Sequence, residues 1–280
     1  MTAHPSPSHD RTALVTGATS GLGAEFATQL AAAGHNLVLV ARDRPRLESV
    51  AEALRSDFGV AVEILSADLT DPTERAHVER RLGATENPVS FLVNNAGYGL
   101  PQEFEINSVD DEERMLEILS TVPLRLSHAA LGGMLSRGTG TILTVASIAG
   151  GAPLGTYAAA KTWALNFSSW AHAQYRRRGV TFTAVAPGFV RTEFHSRLGV
   201  KRSDMAPQWM WLDAGLVVRS ALRAAARGRR LSVPSLRYRI IWGLMKVTQP
   251  VILLFVARAS SAATGSADAT GASRATSGEG

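Results

Sequence analysis

Tyr157 and Lys161 are four residues apart, so on a helix they share one face, because side chains at i and i+4 are neighbours there. A phenol titrates near pH 10 in water, and a fixed ammonium beside it favours the phenolate. Such a pair can act as acid or base near neutrality. Taken alone, the spacing reads as an incidental surface pair. Ser147 stands ten residues upstream at the end of an apolar run (TILTVAS). Near the other end, TALV runs into Thr16-Gly17-Ala18-Thr19-Ser20-Gly21-Leu22-Gly23 and then a helical pattern. Gly17, Gly21 and Gly23 let the backbone turn tightly and approach a pyrophosphate. The next helix then offers open N–H groups and the positive end of its dipole.

These residues need a scaffold that alternates strands and helices. Apolar runs at Ala13–Val15, Asn36–Val40, Val60–Ser66, Phe91–Val93, Thr141–Val145 and Thr181–Val185 predict strands, with a late one at Arg230–Val233. Amphipathic stretches at Gly21–Gly34, Arg44–Phe58, Pro72–Leu82, Asp110–Arg137 and Thr156–Arg178 predict helices between them. Successive βαβ units of this kind imply an α/β fold of Rossmann type, a doubly wound parallel sheet with helices on both faces, in a single domain.

Four motifs, taken in order, are similar to those of the short-chain dehydrogenase/reductase family in its compact single-domain branch. They are the glycine turn, Asn94-Asn95-Ala96-Gly97, Ser147, and Tyr157 with Lys161, and the likeness runs from about residue 11 to 235. The resemblance implies that Ser147 orients the substrate oxygen, Tyr157 transfers the proton, and Lys161 holds the nicotinamide ribose and tunes the tyrosine. It implies a dinucleotide site of Gly17, Thr19, Ser20, Gly21, Leu22, Gly23, Asp68, Leu69, Asn95, Ala96 and Gly97, with Tyr157 and Lys161. Asp68 is expected at the adenine. Pro187, Gly188, Val190 and Thr192 are expected around the carboxamide, with Thr192 at either the carboxamide or a phosphate. Substrate walls are expected from Tyr98, the loop ending at Leu154, Phe189, Phe194 and the apolar stretch from Met205 to Leu212. That stretch points to a bulky hydrophobic carbonyl or alcohol; packing of the domain or of a dimer interface explains it equally well. The family also implies a homodimer or homotetramer through two long helices.

Cofactor preference is legible after the second strand, where an NAD site keeps an acidic residue for the ribose 2′-hydroxyl. Here Ala41 and then Arg42 occupy the place, Asp43 following and pointing away, so NADP(H) is expected over NAD(H). One departure concerns the proton relay. The family places an Asn where this chain has Leu119, 28 residues before Ser147, with Ser120 beside it. That supports a rival reading, a dinucleotide-binding sensor or scaffold with weak catalysis.

Composition narrows the rest. The chain has 280 residues and no cysteine, which excludes disulfides, thiolate nucleophiles and cysteine metal sites. Seven histidines show no HExxH or HxH spacing, so no metal is expected. Residues 1–10 carry no apolar signal and read as a disordered arm, and 259–280 as a disordered tail of Ala, Ser, Thr and Gly. Residues 236–258 form a basic and apolar extension. From Ala214 to Ala267 there are nine basic residues and no Asp or Glu. The interrupted run Ile240–Ala257 is ill suited to span a bilayer. Together these predict peripheral association with an anionic membrane, so the protein is expected in the cytoplasm or at the inner face of a membrane. The competing account has the same residues covering the sheet edge of a soluble enzyme. Nucleic acid is not expected, because no recognition motif accompanies the charge.

Overall fold

The computed structural model describes residues 11–192 and 206–245. The expectations for the N-terminal arm, Phe194, Met205, the apolar run beyond 245 and the C-terminal tail lie outside the described residues.

Seven strands form one parallel sheet in the order β3-β2-β1-β4-β5-β6-β7. They are β1 (Thr12–Thr16), β2 (Asn36–Ala41), β3 (Val62–Ser66), β4 (Val89–Asn94), β5 (Gly140–Val145), β6 (Val180–Val185) and β7 (Leu231–Ser232). The helices between them are α1 (Gly21–Ala32), α2 (Arg44–Phe58), α3 (Pro72–Gly83), α4 (Val109–Leu116), α5 (Val122–Arg137), α6 (Gly155–Tyr175) and α7 (Ala214–Ala226). Side chains alternate across a strand, so each strand feeds two cores. Ala13, Val15, Leu37 and Leu39 belong to one cluster, and Leu14, Val38 and Val40 to the other.

The long helix expected over Asp110–Arg137 is divided. A π-helical turn, Glu117–Thr121, separates α4 from α5, and Val122 N–H reaches back five residues to Glu117 C=O. Pro123 explains it. Its nitrogen has no hydrogen for Leu119 C=O, and its ring crowds that carbonyl, so the helix widens by a residue. Helix α7 was not among the sequence-based helices. Asp213 caps it by accepting from Leu216 N–H. Residues 236–245 are also helical, and Tyr238 there is fully buried in the first core cluster, so the packed unit runs past residue 235.

After β3 the chain crosses back and inserts β4 on the other side of β1. At such a switch point the loops leave in opposite directions and open a crevice at the carboxyl ends of the strands. The glycine turn follows β1, Asn95–Gly97 follows β4, Ser147 follows β5 and Pro187–Thr192 follows β6. The carboxyl ends of the strands therefore collect these four motifs, and α6 with Tyr157 and Lys161 follows the Ser147 turn.

Candidate active site

The glycine turn is set by close approach. A Cβ on Gly23 would lie 2.0 Å from Gly17 O and 2.5 Å from Asn95 Nδ2, so α1 packs directly onto the turn. Gly17 adopts φ +65, a left-handed value that glycine accepts at no steric cost. Ser20 stands at the N-cap of α1, with Thr19 before it and Leu22 packed inward, and the first turn carries no acidic side chain. Thr192 lies against Gly21, 3.2 Å from where a Cβ would be, which places it beside this turn. Thr16 joins two motifs. Its Oγ1 accepts from Asn95 N–H (2.9 Å) and Ala96 N–H (3.0 Å) and donates to Val93 O. Asn95 returns a bond from Nδ2 to Thr16 O. The Asn95 side chain is thus spent on holding the turn, and Gly97 faces Leu119, whose Cδ2 fills the space beside it.

Ser147, Tyr157 and Lys161 converge. Ser147 opens a 3-10 turn, its Oγ accepting from Ala149 N–H at 3.1 Å, and its side chain hydrogen-bonds Tyr157. Burial pushes the Tyr157 phenol up to about 12, with the Ser147 hydrogen bond pulling the other way. Lys161 is buried, donates to Val145 O at 2.8 Å and sits 5.6 Å from the Tyr157 ring centroid. Burial lowers its ammonium to about 8. An unfolded lysine titrates near 10.4, so between roughly pH 8 and 10 the unfolded chain binds more protons and stability rises with pH. Relative to Lys161→Met, the protein is expected to gain on the order of 3 kcal/mol from pH 8 to 10.4 in denaturant titrations. A difference independent of pH would refute the depressed lysine.

The rim of the crevice is charged. Asp68 is half-buried; burial works to raise its carboxyl, but hydrogen bonds from Thr70 and the charges of Arg42 and Arg114 hold it below its usual value. Arg42 is exposed, 4.0 Å from Asp68, and Arg114 on α4 reaches within 3.8 Å. Asp43 accepts from Arg46 N–H as the cap of α2, so it does not face this rim. Leu69 is buried and its carbonyl accepts from the buried Arg75, which also pairs with Glu117 of the π-helical turn. Arg114 escaped the sequence analysis because it lies far from Asp68 in the chain, and Arg75 because its partner Glu117 does.

On the opposite side, Pro187 O accepts from Ile148 N–H (3.0 Å), linking the β6 loop to the Ser147 turn. The half-buried Phe189 ring lies tilted against the buried Trp211 ring, centroids 5.3 Å apart. Val190 bridges to Leu212. Tyr98 is half-buried, while Leu154 and Trp209 are exposed, and Gly151 lies against the ring of Trp242. Trp242 and Tyr238 were likewise missed, since helix 236–245 reads as an extension until its inner face is seen in place.

The short chain dehydrogenase profile matches residues 11–202. The chain belongs to the short chain dehydrogenase family. A very-long-chain 3-oxoacyl-CoA reductase of Anas platyrhynchos is 32% identical over 188 residues, covering 65% of this chain and 60% of that reductase, so the chain matches well under the relative's full length. A short-chain dehydrogenase from Sphingobium yanoikuyae in complex with NADPH superposes with a TM-score of 0.78 at 34% identity, covering 87% of this chain and 95% of that one. A bulky-bulky ketone specific alcohol dehydrogenase from Comamonas testosteroni gives 0.75 at 30% identity, covering 88% and 94%.

The short chain dehydrogenase crevice fits a nicotinamide dinucleotide on its own geometry. The cradle between Gly17 and Gly23 has no room for a side chain, and the α1 terminus behind it faces no carboxylate of its own first turn. Family members are oxidoreductases.

Proposed function

We propose that the protein interconverts a ketone or aldehyde and the corresponding alcohol with NADP(H), on a hydrophobic substrate. The convergence of Ser147, Tyr157 and Lys161 beside the glycine cradle carries this reading. Bound nicotinamide coenzyme supplies the hydride for reduction and accepts it in the reverse direction. Tyr157 gives its proton to the carbonyl oxygen while Ser147 hydrogen-bonds the same oxygen, stabilising the charge that develops there. Lys161, charged below about pH 8, favours the phenolate that remains and holds the ribose. Gly17 and Ser20–Gly23 hold the pyrophosphate with Thr192, Asp68 and Leu69 border the adenine, Asn95–Gly97 line the nicotinamide ribose, and Pro187–Val190 meet the carboxamide. The names of the duck and Comamonas relatives, a very-long-chain oxoacyl-CoA reductase and a bulky-ketone dehydrogenase, support a hydrophobic substrate. NADPH oxidation against short, long-chain and polycyclic carbonyl compounds tests the whole reading; no turnover across that range sinks it.

NADP(H) preference rests on Arg42, exposed at the rim and free to meet a 2′-phosphate as well as Asp68. Arg42→Ala is expected to lower the ratio of kcat/KM for NADPH over NADH by about tenfold or more, the loss of one charge-assisted contact. An unchanged ratio removes Arg42 from the specificity site.

The rival reading, a coenzyme-binding sensor with weak catalysis, draws on Leu119, buried against Gly97 where an amide side chain is expected. Brisk turnover by the natural protein ends it.

Peripheral association with an anionic membrane is supported by helix 236–245. Leu236, Ile240 and Leu244 lie one turn apart and are exposed by 70%, 57% and 59% in the segment that lacks acidic residues. Among the described residues no helix is long and apolar enough to cross a membrane. Sedimentation with liposomes should show binding that rises with anionic lipid and falls with salt, and that weakens when the three residues become Ser. Indifference to lipid charge refutes it. Truncation after Pro234 is unsuitable, because it also removes the buried Tyr238. Self-association through α4–α5 and α6 is supported by exposed Leu116, Leu124 and Trp170 on those helices; a monomer by light scattering removes it.

A further inference from the structure

Phe189, one residue before the expected carboxamide contact at Val190, has both of its backbone polar groups tied down. Its carbonyl accepts from Leu212 N–H at 2.8 Å. Its N–H donates to the hydroxyl of Tyr238 at 3.1 Å, and that hydroxyl donates in turn to Met210 O at 2.7 Å. One phenol therefore joins three stretches of chain, the β6 loop, the 206–212 segment and helix 236–245. The fit is reciprocal. A Cβ on Gly188 would lie 1.9 Å from Tyr238 Cζ, so the ring occupies the place where any other residue's side chain would begin. The backbone at Gly188 is not left-handed, so close approach is the reason for glycine there. Tyr238 itself is fully buried, and Arg237 beside it donates to Trp211 O, adding a second tie to the same segment.

We propose that Tyr238 is a positioning residue for the nicotinamide half of the coenzyme site, acting through the Gly188–Val190 backbone and never touching the reacting atoms. Helix 236–245 is by this account part of the active site's construction. Without the hydroxyl, Phe189 N–H and Met210 C=O lose a shared partner inside the protein, and the loop that presents Val190 relaxes toward water. The adenine and pyrophosphate contacts proposed above lie on the glycine turn, the start of α1 and the loops after β2 and β3, with Thr192 at the far end of the β6 loop, and Tyr238 touches none of these residues in any contact described.

The proposal rests on reading Pro187–Val190 as the carboxamide loop, and the experiment separates the two. Tyr238→Phe keeps the ring against Gly188 and deletes only the hydroxyl, so the packing survives; its melting is followed alongside. Binding of NADPH is compared with binding of 2′-phospho-ADP-ribose, which carries everything except the nicotinamide. For the variant, the dissociation constant of NADPH is expected to rise about tenfold, and that of the fragment to stay within about twofold. A parallel loss for both ligands, or a fall in melting temperature with both affinities kept, assigns Tyr238 to general stability and overturns the proposal. If the natural protein binds NADPH no more tightly than the fragment, the carboxamide reading itself fails. A natural protein that favours NADPH and a variant that favours it equally would reject Tyr238 alone.

Discussion

Tyr157→Phe is expected to lower carbonyl reduction by about 10²–10⁴-fold while leaving NADPH binding within about threefold of the natural protein. The substitution removes one oxygen and leaves the ring, so Lys161 and the α6 packing keep their neighbours. What disappears is the phenolic proton donor hydrogen-bonded to Ser147. With burial keeping the phenol at about 12, the group stays protonated through the physiological range, the state needed to give a proton to a carbonyl. Ser147→Ala should also slow reduction, and the double variant should be little worse than Tyr157→Phe, because residues acting on one oxygen are not additive. The measurement is single-turnover NADPH oxidation with a separate binding titration. A rate for Tyr157→Phe within tenfold of the natural protein would mean that another group supplies the proton.

Gly23→Ala is expected to abolish measurable coenzyme binding and to lower the melting temperature. Its Cβ would fall 2.0 Å from Gly17 O, a backbone atom that cannot swing aside, so α1 must lift from the turn or the turn must open. Overpacking of this kind costs roughly 1–3 kcal/mol, about 2–12 °C for a domain of this size. Binding suffers more, because the displaced N–H groups are those aimed at the pyrophosphate. Gly34→Ala is the control: its φ of +82 strains the new residue, but nothing lies within 4 Å of the added atom. It should cost stability and leave NADPH affinity alone. Equal affinity in Gly23→Ala would show that the turn does not cradle phosphate.

The motif residues were legible because each depends on local geometry. Tyr157 and Lys161 meet through helical spacing, and the strands announced themselves as runs of Val, Leu and Ile buried on both faces. The place of Arg42 at the rim was legible because it directly follows β2 within one βαβ unit. The break at Glu117–Thr121 was not drawn in advance, although Pro123 held the reason: a proline near a helix start is also compatible with continuation, and only packing selects the widened turn.

What lay beyond reach involved contacts between distant segments. Thr16 tied to Asn95 and Ala96 spans about eighty residues, Arg75 and Glu117 forty-two, and Tyr238 to Phe189 forty-nine. Trp211 illustrates the ambiguity directly: as a residue type it suits a substrate wall, yet the structure buries it, with its ring tilted against Phe189 and its indole N–H donated to Ala206 O. Short-range order, the βαβ rhythm and the placing of Tyr157 beside Lys161 on one helix follow from residue type and spacing, since those interactions close within a few residues. Which side of helix 236–245 faces inward, and why residue 188 must be glycine, follow only once β6, the 206–212 segment and that helix are brought into van der Waals contact. Nothing local to any one of the three encodes that meeting.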